Sequence, residues 1–233
     1  MKQQELTARF IKGYRGPRSL AAICLAIAAY CRQGAQDAGF EQRRSCMIAW
    51  LSRTVYVCGQ PSPLARRRIE AIARACDAAA VFSASPLTLD GCTARTVQEM
   101  RYAGNAEAAR PTADLVTAVR IIHSVSGVAA DRLLVEYLRR TSAGVAALFL
   151  AEQDGRPAAA AAADFICPGY AVIGSVSVPP LHRGNRLGLR LAAAAAAGYR
   201  NAYLICEKQL VHAYAAEGFV PSAVLAISYK DSR

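Results

Sequence analysis

Three kinds of apolar spacing alternate along the chain. Leu20 to Cys31 is an unbroken apolar run of 12 residues behind Gly16-Pro17. It predicts a buried helix, with proline placed in the first turn. A bilayer needs ~20 such residues, so the run is too short to cross one. A second helix is predicted from about Gln42, carrying Met47, Trp50 and Leu51. A short strand follows at 54–58, a Pro-rich break at 59–63, a helix at 64–79 on the spacing of Ile69, Ile72, Ala73 and Cys76, and another short strand at 80–82. This strand–helix–strand unit is common and names no function. Residues 97–102 read as a strand, and 114–124 and 129–140 as helices, with Asp114 near the first N-terminus. Glu136 and Arg140 form an i,i+4 pair expected on an exposed face.

From residue 143 the pattern changes to strands. Residues 147–152 are apolar and lead into Asp154-Gly155, the dipeptide of a tight hairpin whose two central residues need positive φ. The return strand covers 157–166, although its six alanines at 158–163 favour a helix by propensity. Pro168-Gly169 makes the next turn, and 171–178 is a strand interrupted by Gly174, which marks a bulge or a close approach. A Gly-containing loop then opens a helix at 187–199. A strand at 202–206, a helix at 208–218 closed by Gly218 and a strand at 223–229 complete the order.

The composition adds charge. The chain of 233 residues holds 28 Lys+Arg against 17 Asp+Glu, a net +11, densest at Arg43-Arg44 and Arg66-Arg67-Arg68. Such clusters suit an anionic partner, nucleic acid included, or are simply solvated; no nucleic-acid motif or aromatic interleaving accompanies them. The eight cysteines contain no CxxC pair, which excludes a zinc ribbon and a thioredoxin motif and implies no metal. They read as reduced, mostly buried thiols of a cytosolic protein. Met1 to Glu5 lack the cationic start and apolar stretch of a secretory signal. No repeat of 20–50 residues is visible.

The chemistry concentrates at 176–190, a strand, a loop with two glycines and a helix N-terminus. Unpaired first-turn N–H groups and the helix dipole make such a place suited to a pyrophosphate. Gly184 and Gly188 would let the backbone approach the phosphates, and Arg183 and Arg186 add charge. The loop is neither a Walker A sequence nor a GxGxxG fingerprint. The second stretch is 202–219, with Tyr214 four residues before Gly218-Phe219.

These two stretches resemble the GCN5-related N-acetyltransferases. Val178, Pro179, Arg183 and Gly188 match that family's loop, and Tyr214, Gly218 and Phe219 match its later Tyr–Gly-Phe spacing. The resemblance covers 143–233 and extends back to about 96. It implies an α/β fold: a mixed, mostly antiparallel twisted sheet of six or seven strands over 96–233 with helices on both faces. Residues 1–95 would be a mainly helical region of unknown role.

The resemblance also implies transfer of an acetyl group from acetyl-CoA (coenzyme A) to a primary amine of a small molecule or protein. Val176, Ser177 and Val178 would face the pantetheine arm. The pyrophosphate would lie on Gly184, Asn185, Arg186, Leu187, Gly188 and Leu189, beside Arg183. Glu207 stands where the family commonly has Asn, and Arg186 where it has a middle Gly. Tyr214 would protonate the leaving thiolate. No carboxylate stands at the usual general-base positions; Glu207, Asp164 and His212 are the nearest titratable groups, and a water relay is the other option. Two further readings stay open: an acyl-CoA-binding regulator without catalysis, and a nucleic-acid-binding protein. A membrane partner is not expected.

Overall fold

The computed structural model describes residues 14–230; Met1 to Glu5 and their leader reading fall outside them. The order is α1 (Arg18–Cys31), β1 (Ala38–Gln42), β2 (Cys46–Leu51), β3 (Thr54–Gly59), α2 (Pro63–Ala75), β4 (Ala80–Ser83), β5 (Cys92–Tyr102), α3 (Leu115–Ser126), α4 (Ala130–Ser142), β6 (Ala147–Gln153), β7 (Arg156–Cys167), β8 (Tyr170–Ser177), α5 (Leu187–Ala197), β9 (Asn201–Cys206), α6 (Val211–Ala215) and β10 (Phe219–Lys230). All ten strands form one sheet in the order β1-β2-β3-β4-β10-β5-β9-β8-β7-β6. Its neighbours run antiparallel except β3/β4 and β8/β9.

The six strands expected over 96–233 are β5 to β10, with helices on both faces. The first 95 residues supply two of the three helices expected of them, α1 and α2, and are not mainly helical. They also add β1 to β4, which extend the same sheet. The helix expected from Gln42 is instead strand β2. Its residues from Cys46 to Ala49 are all buried, because α1 lies on one face and α2 on the other. A strand covered on both sides needs no polar alternation.

The same physics settles the alanine run. Ala158 to Ala163 are wholly buried in β7. Ala159, Ala161 and Ala163 face α5, while Ala160 and Ala162 face α3 and α4. Small side chains let helices close on both faces, and that packing overrides helix propensity. The hairpin before it forms as expected, with φ of 53° at Asp154 and 70° at Gly155.

The sheet contains a repeat of topology. α1, the β1-β2-β3 meander, α2 and the parallel strand β4 follow the same path as α4, β6-β7-β8, α5 and β9. The two sets flank the central pair β10/β5. The repeated unit is longer than 50 residues. The copies differ where β3 and β8 hand over to a helix: residues 60–62 suffice in the first, whereas 178–186 intervene in the second. Ser62 caps the first helix, accepting from the Ala65 N–H. No side chain caps α5.

One long-range cap anchors α1 to the centre. Glu99 of β5, 1% exposed, accepts from the Ser19 N–H at 2.7 Å and the Ser19 hydroxyl at 2.5 Å, and from Ser222 at 2.8 Å. A carboxylate at a helix N-terminus meets both the unpaired N–H groups and the dipole. None of the eight cysteines is in a disulfide, and five are buried.

Candidate functional site

β8 leaves β9 part-way along. The parallel pairing runs from Tyr170↔Asn201 to Ile173↔Leu204 and stops. Beyond it β8 continues to Ser177 against β7 alone, with its register shifted between Ala160↔Ser177 and Ala162↔Gly174. The cause is a bulge: Ser175 has φ 49°, in the left-handed region. A non-glycine residue there needs support. The Ser175 hydroxyl donates to Asp164 Oδ2 at 3.0 Å, and the Tyr137 hydroxyl lies 3.0 Å from Ser175 Oγ and 2.7 Å from Asp164 Oδ1. Gly174 is required beside them, since a Cβ at that position would lie 2.3 Å from Asp164 Oδ2.

Arg140 closes the cluster from α4. Its side chain is 4% exposed, pairs with Glu136 at 2.9 Å and donates to the Asp164 carbonyl. Its guanidinium stacks 5.0 Å from the Phe165 ring centre and 5.5 Å from Tyr137's. The Glu136–Arg140 pair is therefore interior, contrary to its expected exposed face. The apolar α4 face turns it inward against β7. Burial raises the Asp164 carboxyl above the ordinary range, against the opposing effect of Arg140.

The loop at 178–186 carries two left-handed residues, Gly184 at φ 98° and Arg186 at φ 54°. The second explains why a glycine suits that position. Arg186 nonetheless occupies it, and its guanidinium is held by Glu217 at 2.9 Å. Arg183 donates to the Val178 carbonyl at 3.0 Å, and Arg190 to that of Asn185 at 3.1 Å. The N–H groups of Leu187, Gly188 and Leu189 open the helix without side-chain partners.

Gly188 has a different reason from the one expected. A Cβ there would sit 2.7 Å from Val178 Cγ2 and 3.2 Å from Val176 Cγ1. The glycine lets α5 lie on β8, and its Cα does not front an open surface. Val176 and Val178 thus pack under the helix, leaving their strand's backbone edge toward β9. Gly188→Val should lower the urea unfolding midpoint, by overpacking worth ~1–3 kcal/mol. An unchanged midpoint would remove this packing role.

At the other end of the gap is Tyr214, 8% exposed and edge-to-face on Phe219 at 5.6 Å. Burial, and then the neighbouring Cys206, push its phenol up to about 12. The Cys206 thiol is likewise raised to about 11, by burial and Glu207. Glu207 is ion-paired with Arg95 at 2.6 Å, and His212 is exposed. The helix expected at 208–218 is only a 3₁₀ turn followed by the five residues of α6.

A cavity of about 320 Å³ passes through the gap. Tyr214, Cys206 and Leu210 lie on its α5 side. Ile23, Tyr56, Phe82, Val97, Phe165 and Ile227 line its α1 side, and Asp164 and Gly174 lie between. Val176, Val178, Leu187 and Leu189 pack in the same apolar cluster as Tyr214, and the cavity gathers Tyr214 with Glu207. The gap also brings in Asp164, ranked with two other carboxylate or imidazole candidates in the sequence, and Tyr56, Phe82, Tyr137 and Ser175, which carried no signal. Only Gly174 and the serines inside an apolar strand hinted at them.

The fold as a whole has counterparts among solved structures. The chain has the fold of the GCN5-related N-acetyltransferases. It superposes on a "GCN5-related N-acetyltransferase" from Kribbella flavida with a TM-score of 0.59 at 16% identity, over 91% of this chain and 96% of that one. A "putative acetyltransferase from the GNAT family" of Novosphingobium aromaticivorans gives 0.55 at 15%, over 90% and 97%. A "tandem GNAT protein from the clavulanic acid biosynthesis pathway" gives 0.51 at 13%, over 100% and 97%. No protein-family model and no curated protein matches the sequence. Among the described residues no helix is long and apolar enough to cross a membrane.

Proposed function

We propose that the protein is an acyltransferase that moves an acetyl group from acetyl-CoA to an amine. One observation carries the reading: β8 and β9 part at Ile173↔Leu204, with an uncapped helix following β8 in the chain and a buried tyrosine following β9.

The residues present suit acetyl-CoA. The N–H groups of Leu187, Gly188 and Leu189 can receive a pyrophosphate, with the helix dipole behind them. Arg183 is exposed at the same mouth, while Arg186 is engaged by Glu217 and serves the loop's conformation. The edge of β8 left free of β9, from Gly174 to Ser177, can hydrogen-bond the amides of a pantetheine arm. The first copy of the topology lacks these features. Ser62 caps its helix, its loop is three residues long, and the Gly59 N–H donates to the Tyr14 hydroxyl at 3.0 Å.

Bound there, acetyl-CoA supplies an activated acyl carbon. An amine brought from the α1 side forms the N–C bond as the C–S bond breaks. A β8 N–H can stabilise the negative charge that develops on the carbonyl oxygen. Tyr214, held fully protonated at neutral pH, gives its proton to the thiolate. The balance is R–NH₃⁺ plus thioester giving amide, thiol and one proton. Arg43 and Arg68 both bind Glu41, so part of each Arg cluster is internally neutralised, which weighs against the nucleic-acid reading. Release of free thiol on mixing protein, acetyl-CoA and a panel of primary amines tests the reading. Tight acetyl-CoA binding without thiol release would favour a regulator.

A further inference from the structure

The α1 side of the cavity has no part in the acetyl-CoA contacts above, and its walls are specific enough to name what enters. We infer that the acceptor is a small primary amine with a single positive charge and an apolar, aromatic-sized body, its nitrogen at Asp164 and its body against the wall formed by Tyr56, Phe82 and Phe165. The inference rests on the acyl-transfer reading for its chemistry, but not for its binding geometry.

Size comes first. At about 320 Å³ the cavity stands at the small end of ligand pockets, ~300–1,000 Å³. Next are the walls. Tyr56 stacks on Phe82 at 5.4 Å and 23°, and meets Phe165 edge-on at 5.4 Å and 74°. Ile23, Val97, Val172, Ile173, Ile205 and Ile227 line the apolar remainder. Such walls reward an apolar body and an aromatic face. They charge a desolvation penalty to any polar group without a partner.

Charge fixes the number of ammonium groups. Glu207, the other carboxylate of the cavity lining, is bound to Arg95, and Glu136 behind it to Arg140. Asp164 accepts from hydroxyls and has no side-chain ion pair among the described residues. One unpaired carboxylate neutralises one ammonium. The second cation of a polyamine or aminoglycoside would lie against isoleucine and phenylalanine.

Asp164 can also take the proton that the amine must lose before attack. Three short O···O approaches link Asp164, Ser175 and Tyr137 in a closed ring. The two hydroxyls own two protons and fill two of the approaches. A proton on the carboxyl fills the third: Asp164 then donates to Ser175, Ser175 to Tyr137, and Tyr137 back to Asp164. The ring accommodates the transferred proton without leaving any of its oxygens unsatisfied. Of the three candidate bases in the sequence, the one so placed is thus Asp164 on β7, one strand beyond the gap, reaching across Gly174.

Two of the three aromatic walls, Tyr56 and Phe82, come from β3 and β4. On this reading the first half of the chain, which lacks the loop for a second cofactor, serves the second half's acceptor.

The test uses 2-phenylethylamine, spermidine and a lysine-containing peptide. With acetyl-CoA and the full chain, 2-phenylethylamine should show kcat/KM at least ~100-fold above the other two. Saturation-transfer NMR should show it binding without acetyl-CoA. Asp164→Asn, which keeps the side-chain shape, should weaken that binding at least ~10-fold. Phe82→Leu should raise KM for the amine while acetyl-CoA affinity, read by calorimetry, stays unchanged. Preference for spermidine or the peptide would overturn the inference, as would absence of 2-phenylethylamine binding or its full retention in Asp164→Asn. Binding that depends on Asp164 without any thiol release would uphold the amine pocket and overturn the acyltransferase reading instead.

Discussion

Tyr214→Phe should lower kcat by ~10²–10⁴-fold, the usual cost of removing one general acid. The ring remains, so its edge-to-face packing on Phe219 and the fold remain too. KM for acetyl-CoA should change little, because the hydroxyl acts mainly in the transition state. The raised phenol adds a second signature. With its ionisation pushed up to about 12, Tyr214 stays protonated across the working range. The wild-type kcat should therefore show no alkaline fall from this group between pH 7 and 10. A phenol at its ordinary value would begin to lose its proton near pH 9. An unchanged kcat in the variant would make the tyrosine a packing residue and leave water to protonate the thiolate.

Arg140→Ala should cost about 3–5 kcal/mol of stability. The guanidinium is nearly inaccessible, and removing it strands Glu136 as an unpaired interior carboxylate. It also strips a donor from the Asp164 carbonyl and the stacking surface from Phe165 and Tyr137. A domain of this size loses ~2–4 °C of Tm per kcal/mol, so the Tm should fall by ~10 °C. The double variant Arg140→Met, Glu136→Gln should recover part of the loss, because it removes both charges together and keeps an apolar stem. Equal losses in the single and double variants would show that the ion pair matters less than the lost packing volume.

The legible parts of the sequence were those where one local signal sufficed. Asp154-Gly155 placed the β6–β7 hairpin despite six alanines, because only a few dipeptides suit two consecutive positive φ values. The loop before Leu187 and the Tyr214–Phe219 spacing set the register of the gap between β8 and β9, and with it the fold. What failed needed knowledge of neighbours. Residues 46–51 have the apolar content of a helix and become a strand only because helices cover both faces. Glu136 and Arg140 look like a surface pair until α4 is turned against β7. Gly188 matches a phosphate loop, and the further demand on its missing Cβ, room for two valines, depends on packing the sequence does not display. Asp164 could not be singled out, because its partners lie on α4 and β8 and its access depends on Gly174. The repeated topology was invisible because its two copies share a path and not a residue pattern.

The position of β10 has a consequence for the order in which this protein can be made. The chain completes its last strand between β4 and β5, so both halves of the sheet wait for residues 219–230 to leave the ribosome. Until then β4 presents a bare edge, and the first four strands have no strand pairing with the rest. Segments so far apart in sequence close slowly, since loop entropy must be overcome before their pairing stabilises anything. The first half must therefore persist through synthesis on side-chain packing, chiefly that of α1 and α2, without a strand partner for β4. Its short β4, only four residues long, limits what that waiting edge offers to other chains.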